Sequence, residues 1–148
     1  MQTMSTESAR PPHLRATALA LVLVGGFCGT AARDLVQNAF PHSASGVPWA
    51  TFGINLAGAF VLGVLLEGLA RSGEDDGRRR RIRLLAGTGF CGAFTTYSAL
   101  ATDTVQLWEV GHRTTAGIAY AAGTVLAGLV CTWLGLMVAS RTARGGAR

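Results

Sequence analysis

Residues 87–98 read Gly87-Thr88-Gly89-Phe90-Cys91-Gly92-Ala93-Phe94-Thr95-Thr96-Tyr97-Ser98. Three glycines followed by four hydroxyl-bearing residues make a poor uninterrupted helix. Yet the stretch lies within 84–102, a span of 19 residues free of Asp, Glu, Lys and Arg. Two conformations are open to it. Hydroxyls can return hydrogen bonds to helical carbonyls and keep one continuous helix. Alternatively the chain unwinds where protein buries it, freeing carbonyls and N–H groups. Broken helices at membrane depth build ion sites, carbonyls suiting a hard cation and N–H or hydroxyl donors suiting a small anion.

The rest of the chain decides that a membrane is the setting. Charge-free windows also cover 16–32, 35–66 and 114–140, which are 17, 32 and 27 residues long. A helix crossing about 30 Å of hydrocarbon needs roughly 20 apolar residues. Of 148 residues, 49% are apolar and only 14% charged, which leaves no polar outer face for a water-soluble bundle. The expected fold is an all-α membrane protein with four transmembrane helices, near 14–36, 48–70, from 82 and 114–140, the third carrying a break. Residues 1–13, rich in Ser, Thr and Pro, read as a disordered tail, 14–140 as the membrane unit, and 141–148 as a basic tail. A cleaved leader is the lesser reading of the N-terminus, because apolar character continues past residue 25 without a convincing cleavage site.

The formal charge of +5 does not point to nucleic acid. All 13 basic residues are Arg, and six of them fall in one loop, 71–83, between two apolar spans. Such a cluster marks the cytoplasmic side and its lipids. Four crossings place both termini on one side. That side holds Arg10, Arg15, the six loop arginines, Arg141, Arg144 and Arg148, eleven in all, against Arg33 and Arg113 opposite. The bias predicts a fixed orientation with cytoplasmic termini.

Glycines recur at small-residue spacing, Gly25 and Gly29 in the first span and Gly53, Gly58 and Gly63 in the second. They let helix backbones approach closely and name no activity. Asn55 stands out. A membrane-buried amide needs a partner or a polar cavity, so it either glues helices together or contacts a solute. Cys28, Cys91 and Cys131 read as buried thiols, and His13, His42 and His112 form no metal motif. Ser98 lacks His and acid partners, and residues 87–92 lack the Lys and strand of a phosphate loop, so an enzyme is not expected.

From about residue 24 to 135 the chain resembles the CrcB, or Fluc, fluoride channels of bacteria. The resemblance rests on Gly25-Gly26-x-x-Gly29-x-x-x-Arg33, on Thr51-Phe52-Gly53-Ile54-Asn55-x-x-Gly58-x-Phe60-x-x-Gly63, and most strongly on residues 89–98. It implies passive fluoride export through an antiparallel dimer of four-helix subunits in the bacterial plasma membrane. It also implies a structural sodium ion at the dimer centre, on backbone carbonyls that here correspond to Gly92 and Thr95. On the same footing, Asn55, Thr95, Thr96, Tyr97, Ser98, Tyr120, Thr124 and Thr132 match the fluoride pathway. Arg33 matches a vestibule or helix-anchoring arginine.

Three departures matter. Tyr97 keeps a ring at the family's first phenylalanine position, Leu100 removes the ring at the second, and Asp103 stands where Glu is usual. Single-gene members of the family insert both ways and need little charge bias. The arginine asymmetry therefore favours, as the second channel subunit, an oppositely oriented paralogue over a second copy of the chain. Two alternatives stand beside this reading. A four-helix multidrug-type exporter shares the size, but that class is expected to carry an acidic residue in helix 1, and residues 16–32 have none. A noncatalytic structural partner subunit explains the glycines and Leu100, but not Asn55 beside the helix 3 motif.

Overall fold

The computed structural model describes residues 16–43 and 46–145, the side chains of 142–145 excepted. The expected tail at 1–13 and the arginines Arg10, Arg15 and Arg148 lie outside the described residues. These residues form helices and no strand. Helix α1 is Ala16–Ala39 and α2 is Trp49–Arg71. α3, residues 77–94, is a composite of an α-helical turn Gly77–Ile82, a π-helical stretch Arg83–Cys91 and a last turn Gly92–Phe94. α4 is Tyr97–Glu109 and α5 is Thr114–Gly145.

Three helices are long and apolar enough to cross a membrane: α1, α2 and α5 over Thr114–Arg141. The fourth charge-free window is shared between α3 and α4, so neither piece carries it alone. Boundaries differ from expectation where polar residues sustain a helix. α1 runs on past Val36, with Asn38 Nδ2 donating to Asp34 Oδ2 at 3.1 Å. α5 passes Ser140 and ends at Gly145, so much of the expected basic tail is helical. α3 begins at Gly77 rather than near Ile82 because arginine is a good helix former.

The large apolar side chains point outward. Leu23, Phe27, Leu35, Leu126, Leu129 and Trp133 are all exposed on the single chain, the arrangement that lipid or a partner subunit requires. Inside, small residues meet backbone. A Cβ at Gly25 would collide with the Leu85 carbonyl, and one at Gly29 with the Phe90 carbonyl, so α1 lies directly on the π-helical stretch. Gly63 faces the Thr132 carbonyl and Gly135 the Phe60 carbonyl, which seats α2 on α5. A compact apolar cluster of Leu100, Leu107 and Tyr120, backed by Val47 and Phe52, joins α4 to α5.

The arginine-rich turn is braced by Arg83, whose guanidinium donates to both Asp75 carboxylate oxygens at 2.6–3.0 Å. That contact holds the Asp75 carboxyl below the usual carboxylate range. A lowered pKa means the contact is fully present above the ordinary range and is lost as pH falls through the lowered value. Amide exchange over residues 74–83 is therefore expected to quicken only below the ordinary carboxylate range. A change near neutral pH would argue against this brace. Gly25→Ala is expected to lower the thermal unfolding temperature in detergent, by overpacking worth about 1–3 kcal/mol. Gly68→Ala is expected to be tolerated, because no atom lies within 4 Å of the added Cβ.

Candidate functional site

The helical path opens at Thr95 and Thr96. Both are extended, with φ, ψ of −72°, 154° and −146°, 116°, between the last turn of α3 and the first of α4. Asn55, partly buried in α2, bridges the opening. Its Nδ2 donates to the Thr96 carbonyl at 3.1 Å, and the Thr96 N–H donates to its Oδ1 at 2.8 Å. One side-chain amide thus satisfies both backbone polar groups of the buried residue Thr96. Thr95 turns back, its N–H and its hydroxyl both donating to the Cys91 carbonyl at 3.0 and 2.9 Å. α2 admits this turn only because residue 58 is glycine, as a Cβ there would overlap Thr95 Cγ2.

Thr96 also starts α4. Its Oγ1 accepts from the Ala99 N–H at 3.1 Å, an N-cap, and lies 3.3 Å from Ser98 Oγ. In a continuing helix the Thr96 N–H would meet the Gly92 carbonyl. Here it is turned to Asn55, which leaves the exposed Gly92 carbonyl without that partner.

Two pockets meet at this point, the first mostly apolar with a few polar groups and the second mostly polar. One, about 260 Å³, is lined by Asn55, Thr95, Thr96, Tyr97, Leu100, Thr124, Val125 and Gly128. The other, about 300 Å³, is lined by Arg33, Gln37, Thr96, Ser98, Ala99, Thr102 and Asp103. Thr96 is the wall they share. Arg33 makes no ion pair with any described residue, and Asp103 is the carboxylate that lines the pocket with it.

The helix 5 residues are placed unevenly. Thr124 is buried and faces the first pocket, with its hydroxyl donating to the Tyr120 carbonyl at 2.7 Å. Thr132 donates to the Gly128 carbonyl at 3.0 Å and lies outside both pockets. Tyr120 points toward α4 instead, where its hydroxyl donates to Asp103 Oδ2 at 3.4 Å. Tyr97 is 83% exposed, on the outer surface of the single chain.

A constellation around Asp103 escaped the sequence reading. This buried carboxylate has Tyr120 on one oxygen and His42 Nε2 at 3.6 Å from the other, with buried Thr51 beside the Tyr120 hydroxyl. Thr51 was visible only as part of a motif, and His42 only as a stray residue near a span end. Their meeting depends on how the turn before α2 folds over the middle of α4, which no local spacing encodes.

Asn55→Leu is expected to leave the Thr96 N–H and carbonyl unpaired, at about 1–3 kcal/mol for each buried group. Asn55→Asp keeps the acceptor and loses the donor, so it should fall between. Unfolding in detergent, with amide exchange at Thr96 and Ala99, measures both. Equal protection in all three proteins would mean that the amide does not hold the opening.

Comparison with known proteins gives one family. Residues 20–136 match the model of the CrcB-like proteins, described as Camphor Resistance (CrcB). The chain is 50% identical over 133 residues to the fluoride-specific ion channel FluC 2 of Leifsonia xyli subsp. xyli, covering 90% of each protein. It is 47% identical to FluC 1 of Cutibacterium acnes, over 81% of this chain and 83% of that one. It is 43% identical to the fluoride-specific ion channel FluC of Chlorobaculum tepidum, over 80% and 91%.

Proposed function

This chain belongs to the CrcB-like family, and from that membership we propose that it is a fluoride-selective channel subunit giving passive fluoride export and hence fluoride resistance. Transport of this kind involves no enzyme chemistry, because a negative cell interior already drives an anion outward. The observation that carries the reading is Thr96, held by Asn55 and lining both pockets at once.

Fluoride is strongly hydrated, and a narrow path must replace its water with fixed donors. Arg33 draws the anion into the outer pocket beside Ser98 and Thr96. Asn55 supplies the next donor. Nδ2 carries two hydrogens, of which the Thr96 carbonyl takes one. The Thr96 hydroxyl accepts from Ala99, and it keeps its own proton to offer when Ser98 is the donor in their 3.3 Å contact. Thr124 and Thr132 give their protons to helical carbonyls, so they must rotate before either can donate to an anion. Tyr97 and Leu100 border the inner pocket on the face left for a partner.

That partner is a second channel subunit in antiparallel pairing, in the bacterial plasma membrane. Eleven arginines against two favour fixed cytoplasmic termini, and so an oppositely oriented paralogue rather than a second copy. Leu100 lies in the apolar cluster with Leu107 and Tyr120 and offers no polarised ring edge, which favours one competent route in such a pair. A structural sodium ion fits the chemistry of the turn. The Gly92 carbonyl has lost its helical donor and the Thr95 carbonyl lies beyond the last helical turn, both neutral hard oxygens. When bound, the ion supplies a fixed positive charge that ties such turns together.

Vesicles containing the chain, alone or with an opposite-facing FluC paralogue, and loaded with fluoride or chloride, test the reading. Fluoride efflux without chloride efflux is expected for the pair, with little for the chain alone. Asn55→Ala should reduce that efflux at least about tenfold, the loss of one good hydrogen bond at the barrier. Full efflux from the chain alone would remove the paralogue, and no fluoride efflux from the pair would remove the channel.

A further inference from the structure

A third pocket, about 370 Å³, lies between the start of α1 and the start of α3 and shares no lining residue with the other two. Ala18, Leu21 and Leu84 form an apolar wall, and Asp75, Asp76, Arg80 and Arg81 form a charged rim. The charges there are not mutually satisfied. Asp75 is taken by Arg83, and Arg79 Nη1 donates to the Glu74 carbonyl at 3.4 Å. Arg80 and Arg81 make no ion pair with a described residue, and the Asp76 side chain makes no capping bond. Two cations and one anion are thus left at the mouth of a half-apolar pocket.

We infer that this pocket seats the headgroup of a membrane aminophospholipid, with its phosphodiester on Arg80 and Arg81, its primary ammonium on Asp76, and its first acyl carbons against Leu21 and Leu84. Guanidinium groups bind any phosphodiester through charge-assisted hydrogen bonds. The carboxylate makes the choice among lipids. A glycerol headgroup leaves Asp76 without a counter-charge, and a choline headgroup brings charge but no N–H donor. Soluble phosphate has nothing for the apolar wall. The site is independent of the ion pathway.

Native mass spectrometry of the full chain in detergent, with phosphatidylethanolamine, phosphatidylglycerol and phosphatidylcholine of matched acyl chains, tests this. Phosphatidylethanolamine is expected to be retained about tenfold better than phosphatidylcholine, the worth of one charge-assisted contact. Arg80→Gln with Arg81→Gln should abolish retention of all three. Asp76→Asn keeps every arginine, so it tests the contact even if the arginine variant fails to fold. It should bring phosphatidylethanolamine down to the level of phosphatidylcholine. Equal retention of the two, stronger retention of phosphatidylglycerol, or displacement of lipid by inorganic phosphate would each overturn the assignment.

Discussion

Two hydrogen bonds between the Asn55 amide and the backbone of Thr96 hold the rest of the site in place. In hydrocarbon an unpaired N–H or carbonyl costs several kcal/mol, on the order of a small domain's whole stability. A chain leaving helical geometry there must find partners for each freed group. One carboxamide offers a donor and an acceptor about as far apart as a peptide's own, so it substitutes for a neighbouring strand. Once Thr96 is held this way, the remaining features follow. Its hydroxyl is placed to cap α4, Thr95 folds back on Cys91, and the Gly92 carbonyl is released.

That arrangement needs room, which glycine provides. Gly58 lets Thr95 sit against α2, while Gly25 and Gly29 let α1 press on the backbone of the π-helical stretch. A π-helix is wider than an α-helix and weaker in its own hydrogen bonds, so it persists where packing favours it. Because small residues fill many of the helix contacts, few large apolar side chains are buried beyond Ile54, Leu100, Leu107 and Tyr120, and many of the others face outward. The same sequence choice therefore gives close packing within the subunit and an apolar exterior for lipid or a partner.

Much of this was legible beforehand, for reasons that are specific. Charge-free windows follow directly from the cost of burying charge, so α1, α2 and α5 could be placed within a few residues. Asn55 and the residues at 95–98 stood out because polar groups at membrane depth need a purpose. What stayed hidden depends on three-dimensional approach. Nothing in the spacing of His42, Thr51, Asp103 and Tyr120 says that they meet. Hydroxyl direction was equally invisible. Tyr120, Thr124 and Thr132 share a helical spacing, yet one donates to a carboxylate and two donate to their own helix. The π-helical geometry of Arg83–Cys91 also had no local signature, since its cause lies in the glycines of α1.

Asn55 read from sequence as either glue between helices or a contact for a solute, but the geometry makes these roles compatible. The bond to the Thr96 carbonyl uses one amide hydrogen and fixes the plane of the carboxamide, so the second hydrogen has a set direction beside the inner pocket. A mobile donor would adapt to any anion that enters. A fixed one favours the ion whose size matches the gap, and it need not reorganise when the ion sheds water. In the proposed channel, the rigidity that stabilises the open helix would be the same property by which a neutral side chain discriminates between small anions. On the same proposal Arg33, which lines the neighbouring pocket, would attract charge without binding the ion tightly enough to stop it.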